Sequence, residues 1–271
     1  MSRKTLRFGL HDFLNAQPLL IPLLAVQKEA GIEIVRAVPS ALAEMLNAEA
    51  LDLAMIPTVE YLRQADRYRL VPGVCIASRG PVSTVLLAAK VPLNEIKTLA
   101  LDQRSRTSVA LLQLLFGKQF PAGIEYETSA PDPVSMLEKF DAALIIGDQA
   151  FSVSALQTQV TVYDLSEEWF KRTGKAFVHA VIAVRQGVTV EQETLLRIRS
   201  ARQDGLQRVH SIVENHSGRQ GVEPGVLLDY LQNKIIYDLG KQELEGMMEF
   251  RDLCFDRGII PHKRAIRFLQ N

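Results

Sequence analysis

Twice along this chain, short apolar runs of strand length alternate with segments patterned for helices, and that alternation excludes most architectures. The first series begins with a strand at residues 6–10 and a loop through Asn15. A helix follows, entered at Pro18, whose fixed φ suits a first helical turn. Then come a strand at 32–38, a helix capped by Pro39-Ser40 with Glu44 at capping-box distance, a strand at 51–57 and a helix from Thr58. The pattern restarts with a strand at 98–101, a helix from Ser105, a strand at 124–127, a helix at 132–140 and a strand at 142–146. Such spacing predicts βαβ units and largely parallel sheets.

Two β-rich runs, at 82–87 and 176–185, are long enough to cross between two lobes. The expected fold is therefore α/β and bilobed, with residues 1–87 and 181–271 forming lobe I and 88–180 forming lobe II. Apolar positions at helical spacing across 191–215, 223–233 and 242–257 predict a helical C-terminus. In open α/β sheets ligands bind beyond the carboxyl ends of strands. That rule singles out the loops at Asn15, Ser40, 78–84, 105–108 and Gly147-Asp148.

The stretch Ser105-Arg106-Thr107-Ser108 carries the clearest chemical signal. It joins a strand to a strongly apolar helix, so it aims unpaired first-turn N–H groups and the positive end of the helix dipole at whatever lies beyond. Ser105, Thr107 and Ser108 add hydroxyl donors, and Arg106 adds a fork suited to a carboxylate or phosphate. The same residues also fit a capped helix start with a solvated arginine. Asn15 offers both a donor and an acceptor from its loop, or caps the next helix. Gly147 lets backbone approach a ligand, and Asp148 is either a binding group or a turn-capping carboxylate. Together these residues describe a cleft rich in hydroxyl, amide and backbone donors, poor in acid–base groups, and suited to a small anion.

Basic and acidic residues balance at 31 each, so there is no electrostatic footprint for nucleic acid and no polybasic membrane patch. No apolar run has the length and flanks of a signal peptide or a membrane span, and a cytoplasmic location is expected. Cys75 and Cys254, in apolar surroundings, read as buried thiols of a reducing compartment. Dinucleotide, Walker, nucleophile-elbow and zincin signatures are absent. The histidines at 11, 179, 210, 216 and 262 lack ligand spacing, so no metal is expected. His11 and Asp12, adjacent in an extended segment, point to opposite sides and do not pair as acid and base.

Nine segments in one order carry a resemblance. They include Phe13-Leu14-Asn15-Ala16-Gln17-Pro18-Leu19, Ile56-Pro57-Thr58-Val59-Glu60-Tyr61, Ser78-Arg79-Gly80-Pro81-Val82, Ser105-Arg106-Thr107-Ser108, Ile146-Gly147-Asp148 and Tyr163-Asp164-Leu165. Together they resemble the chorismate dehydratase family of menaquinone biosynthesis by the futalosine route. The resemblance covers most of residues 6–185 and extends weakly to Tyr230-Leu231 and Ile235-Ile236-Tyr237. It implies a type II periplasmic-binding-protein fold used as a cytoplasmic enzyme that dehydrates chorismate to 3-[(1-carboxyvinyl)oxy]benzoate without metal or organic cofactor. By position it implies Asn15 and Thr84 as the catalytic pair, with Ser83 and residues 105–108 lining the pocket and Asp148 nearby.

The chain departs from that family pattern at three positions. Thr84 stands where serine is usual, Ala176 where proline is, and Ile182 where an aromatic is common. Threonine keeps the hydroxyl, and Ile182 is expected to reshape an apolar wall. Because dehydration aromatises the ring, the enzyme needs pose and water exclusion more than a strong base. With few His or Glu expected in the loops, the substrate's own enolpyruvyl carboxylate is the expected proton acceptor. Lobe closure is expected to use 82–87 and 177–184 as hinges. Two rival readings remain, a non-catalytic carboxylate-binding protein and a 1,4-dihydroxy-6-naphthoate synthase-like lyase of the same fold. The small-molecule substrate is the only partner expected, and the sequence sets no oligomeric state.

Overall fold

The computed structural model describes residues 5–156, 159–216 and 222–270. The first series folds as β1 (Leu6–Leu10), α1 (Gln17–Val26), β2 (Ile32–Arg36), α2 (Pro39–Asn47), β3 (Leu53–Pro57), α3 (Thr58–Arg63) and β4 (Tyr68–Ser78). The second runs β5 (Val85–Ala89), β6 (Thr98–Asp102), α4 (Thr107–Phe116), β7 (Glu125–Ser129), α5 (Pro133–Lys139), β8 (Ala142–Ile146), β9 (Thr161–Asp164) and α6 (Leu165–Thr173). The chain returns through β10 (Phe177–Arg185) and ends with α7 (Gln192–Gln207), α8 (Val209–His216), α9 (Pro224–Asp229), a π turn at Tyr230–Lys234, β11 (Ile235–Ile236) and α10 (Lys241–Asp256).

Two sheets result. The first has the order β11-β4-β10-β3-β1-β2, with β1 parallel to β2 and β3, and β10 antiparallel to β3 and β4. The second has the order β7-β6-β8-β5-β9, with β6 parallel to β7 and β8, and β5 antiparallel to β8 and β9. Interior strands are apolar throughout: Leu-Ala-Met-Ile-Pro of β3, Val-Leu-Leu-Ala-Ala of β5 and Ala-Ala-Leu-Ile-Ile of β8 are buried at every position. Strands covered on both faces read that way, whereas the edge strand β7, Glu-Tyr-Glu-Thr-Ser, faces solvent and resists edge pairing by charge.

The chain changes sheet at residues 79–84, ahead of β5, and again at 174–176, ahead of β10. Residues 82–84 of the first β-rich run thus belong to the first crossing and 85–87 to β5, while 177–184 lies within β10. β5 and β10 satisfy their backbone groups by pairing on both sides.

The helical C-terminus packs back on lobe I. Where α7 crosses the start of α1, a Cβ at Gly205 would lie 1.7 Å from the Pro18 carbonyl oxygen, so only glycine allows that approach. Trp169 of α6 is fully buried against Phe177 of β10 and Phe250 of α10, at ring separations of 5.4 and 6.0 Å. Its Nε1 donates to the Ala176 carbonyl at 3.2 Å, which ties the second series to the returning strand. Cys75 and Cys254 are buried free thiols, in line with expectation. Among the described residues, no helix is long and apolar enough to cross a membrane.

Candidate active site

Between the sheets, at the carboxyl ends of β1, β3, β6 and β8, lies a narrow cleft with a cavity volume of about 70 Å³. No aspartate or glutamate lines it among the described residues, whereas two arginines and two histidines do. The positive end of α4, which opens into it, favours an anion.

The lobe II wall is the start of α4. The helix begins after Arg106 with no side-chain cap, so its first-turn N–H groups stay available while Thr107 and Ser108 line the cleft. The Ser105 hydroxyl is buried without a hydrogen-bond partner. Arg106 reaches outward instead, pairing with Glu44 at 2.7 Å with 40% of its side chain exposed. The better-covered guanidinium of this wall belongs to Arg104, with 11% of its side chain exposed. It grips Asp102 through Nε and Nη2 at 2.9 and 2.5 Å, donates to the Ile146 carbonyl at 3.0 Å, and stacks over the Phe13 ring at 5.0 Å. Gly147 lines the cleft at φ +68°, and a Cβ there would press the Phe13 ring at 3.1 Å.

Facing this wall, the loop after β1 supplies His11 and Phe13, and the single turn Leu14–Ala16 supplies Asn15. Asn15 Oδ1 and His11 Nδ1 are buried without partners. Burial lowers the His11 pKa to about 4, with Asp148 opposing the shift, so the ring is neutral at pH 7. Thr84 Oγ1 lies 2.9 Å from the Tyr230 hydroxyl. The Asn15 side chain meets that same hydroxyl, through its amide nitrogen because Oδ1 is unpartnered. Burial pushes the Tyr230 phenol far above its ordinary pKa, so it keeps its proton. Donation from Asn15 to Tyr230 and from Tyr230 to Thr84 leaves the Thr84 proton free to point into the cleft. His179, also held neutral by burial with a pKa of about 4, completes this side.

The structure thus brings Asn15, Thr84, Ser105, Arg106, Thr107, Ser108 and Gly147 to one cleft, while three expected residues lie outside it. The Ser40 hydroxyl neither caps α2 nor lines the cleft, because it donates across the lobes to the Gln103 carbonyl at 3.4 Å. Ser83 accepts from Lys234 Nζ at 2.8 Å, away from the cavity. Asp148 accepts the Leu14 N–H at 3.0 Å and faces His216 at 3.3 Å, so its charge is spent on holding the lobes together. Thr107 lines the cleft, yet its hydroxyl accepts the Val59 N–H at the start of α3 at 3.2 Å. Ile182 is buried within the sheet opposite Met55 and does not form a cleft wall. Sequence reasoning missed His11, Arg104 and His179. Their signal was position only, immediately beyond β1, beyond β6 and within β10.

Comparison with known proteins bears on the family and the fold. A chorismate dehydratase of Thermus thermophilus is 33% identical over 259 residues, covering 90% of this chain and 93% of that protein. A solved protein of Archaeoglobus fulgidus superposes with a TM-score of 0.74 at 16% identity, covering 96% of this chain and 99% of that one. The periplasmic aliphatic sulphonate binding protein SsuA of Escherichia coli superposes at 0.63 with 19% identity, covering 98% and 96%. These likenesses establish the periplasmic-binding-protein fold. A family model described as menaquinone biosynthesis matches residues 6–256, and the chain belongs to that family.

Proposed function

We propose that this chain is a chorismate dehydratase, a lyase that removes water from chorismate to give 3-[(1-carboxyvinyl)oxy]benzoate in the cytoplasm. One observation carries the reading: buried, unpartnered polar atoms on His11 and Asn15 face one cleft whose other wall is an uncapped helix start beside the unpartnered Ser105 hydroxyl. Most buried polar groups in folded proteins are paired, and a ligand in the cleft would pair these three. The Thr58 and Tyr237 hydroxyls are also unpartnered but do not line the cleft. The α4 N–H groups, Ser105 and Arg104 suit one carboxylate of a dianion. Asn15 Oδ1 is an acceptor and requires a donor, and the C4 hydroxyl is the only donor that ionised chorismate offers.

The chemistry follows from these placements. The C3–H bond breaks, its electron pair enters the ring, and the C4–O bond breaks as the ring becomes aromatic. The proton taken from C3 passes to the departing oxygen, which faces Asn15 and the Thr84 O–H and leaves as water, so the substrate carboxylate that accepted it is regenerated. With no carboxylate among the described lining residues and both imidazoles of low basicity, the substrate's enolpyruvyl carboxylate is the C3 proton acceptor. The cleft excludes water and fixes the pose. We take the two sheets as the cores of two lobes that close over the substrate.

Incubating the chain with chorismate and following the product by mass spectrometry tests the reading. Formation of the enolpyruvyl benzoate, lighter than chorismate by one water, is the expected result. Binding without turnover would leave a carboxylate-binding protein, and neither binding nor turnover would overturn the assignment.

A further inference from the structure

His179 occupies a bulge in β10. Val178 pairs with Ala77 and Ala180 with Ile76, so His179 is the extra residue between them. Bulges re-aim side chains near binding sites, and here the imidazole borders the cleft with the Phe177 ring edge-on at 5.0 Å. Its Nε2 lies 2.7 Å from Ser78 Oγ, which lies 2.6 Å from Ser166 Oγ. Both serines are fully buried.

Counting protons gives this chain of three groups a direction. Each hydroxyl owns one proton, and the Ser166 hydroxyl has no partner but Ser78 among the described residues. If Ser166 donates to Ser78, then Ser78 donates to His179 Nε2 and every buried proton is used. The reverse order leaves the Ser166 proton buried without an acceptor, the arrangement that folded proteins avoid. With Nε2 accepting, the proton of the neutral ring sits on Nδ1, which has no hydrogen-bond partner among the described residues.

We propose that His179 is a further substrate-binding residue, locked by Ser166 and Ser78 as the Nδ1–H tautomer, and that it donates from Nδ1 to a carboxylate of the substrate. A dianion held at α4 by one carboxylate presents the other to the opposite wall, where His179 stands. Donation to one oxygen of the enolpyruvyl carboxylate leaves the second oxygen free for the C3 proton. This step rests on the dehydratase reading for the identity of the substrate, whereas the tautomer does not.

Two experiments on the full chain test it. Long-range ¹H–¹⁵N correlation spectra, with His179 assigned by its loss in His179→Phe, should show the Nδ1–H pattern without any ligand. Ser166→Ala should convert that pattern to a mixture or to Nε2–H. In steady-state assays, His179→Phe should raise KM for chorismate at least tenfold, and His179→Asn, whose amide places a donor near Nδ1, should recover most of that loss. An Nε2–H pattern in the wild-type chain overturns the proposal, and so does a His179→Phe variant with unchanged KM and kcat. A wild-type chain inert toward chorismate overturns the dehydratase reading instead, and the ligand-free spectrum then decides the tautomer by itself.

Discussion

Arg104 and Arg106 stand two residues apart and do different work. Arg106 was the legible one, placed in a hydroxyl-rich turn ahead of an apolar helix, yet it bonds Glu44 at the exposed mouth of the cleft. Arg104, its side chain 11% exposed, is oriented by Asp102, the Ile146 carbonyl and the Phe13 ring. Those partners come from three separate stretches of chain, so no local pattern announces it. A charge-assisted hydrogen bond in such a setting is worth about 1.5–3 kcal/mol, whereas an exposed pair gives about 0–1. Arg104→Ala should therefore lower kcat/KM for chorismate roughly ten- to hundredfold, and Arg106→Ala by less than about fivefold. Equal losses in the two variants would remove the distinction. Protonation tests the same cleft through stability. The His11 ring has a folded pKa of about 4 against an ordinary value of 6.5. Between those values the unfolded chain binds a proton that the folded chain refuses. Stability from this neutral ring is complete above pH 6.5 and is lost as pH falls toward 4, by about 1.4 kcal/mol per pH unit. Urea unfolding of wild type and His11→Asn at pH 7 and pH 5 should show the wild type losing about 2 kcal/mol more than the variant on acidification. Equal losses would place the imidazole in contact with solvent.

At the scale of elements, the crossing loop at 79–84 depends on chain far from it. The Val82 and Ser83 N–H groups donate to Asp164 at 2.8 and 2.6 Å, and Lys234 Nζ donates to the Ser83 hydroxyl. These anchors hold Ser83 at φ +65°, a left-handed conformation costly for a side-chain-bearing residue, and present Thr84 to the cleft. The π turn at 230–234 then brings Tyr230 against Thr84 and Asn15. If Tyr230 orients the Thr84 proton, the two act as a unit. Tyr230→Phe and Thr84→Val should each lower kcat several-fold, and the double variant should be less impaired than the product of the two. Interacting pairs couple by about 0.5–3 kcal/mol. Strict additivity would show that Tyr230 only fills space. The alternation of strands and helices was readable because period and burial are local properties, as the all-buried β3, β5 and β8 illustrate. The loops at Asn15 and 105–108 were readable because strand ends point there. The contribution of Tyr230 was not, since a residue 146 positions from its partner reaches it only through the packing of the C-terminal helices. Asp148 and Ser40 misled for the same reason: short polar side chains beside strand ends serve lobe contacts as readily as ligands.

For the molecule as a whole, those lobe contacts set a balance. Leu14 N–H to Asp148, Val59 N–H to the Thr107 hydroxyl, the Ser40 hydroxyl to the Gln103 carbonyl and Arg106 to Glu44 all span the cleft. Each joins a residue of the first series to one of the second, and none belongs to a sheet. Individually they are worth about 1 kcal/mol or somewhat more where a charge is involved. Their sum is comparable to the free energy by which ligands bias two-state closure. Asp148 is the strongest single member, because its carboxylate accepts the Leu14 N–H beside Asn15 and also faces His216 on α8. Removing it should favour the open state without touching the cleft lining. Asp148→Ala is therefore expected to enlarge the radius of gyration measured by small-angle X-ray scattering in the absence of ligand. It should raise KM for chorismate more than it lowers kcat, because substrate binding must then supply the closure that the carboxylate supplied before. Saturating ligand should return the variant to the wild-type scattering profile. Identical profiles for variant and wild type, with and without ligand, would mean that these contacts hold a rigid cleft and that closure has no part in its chemistry.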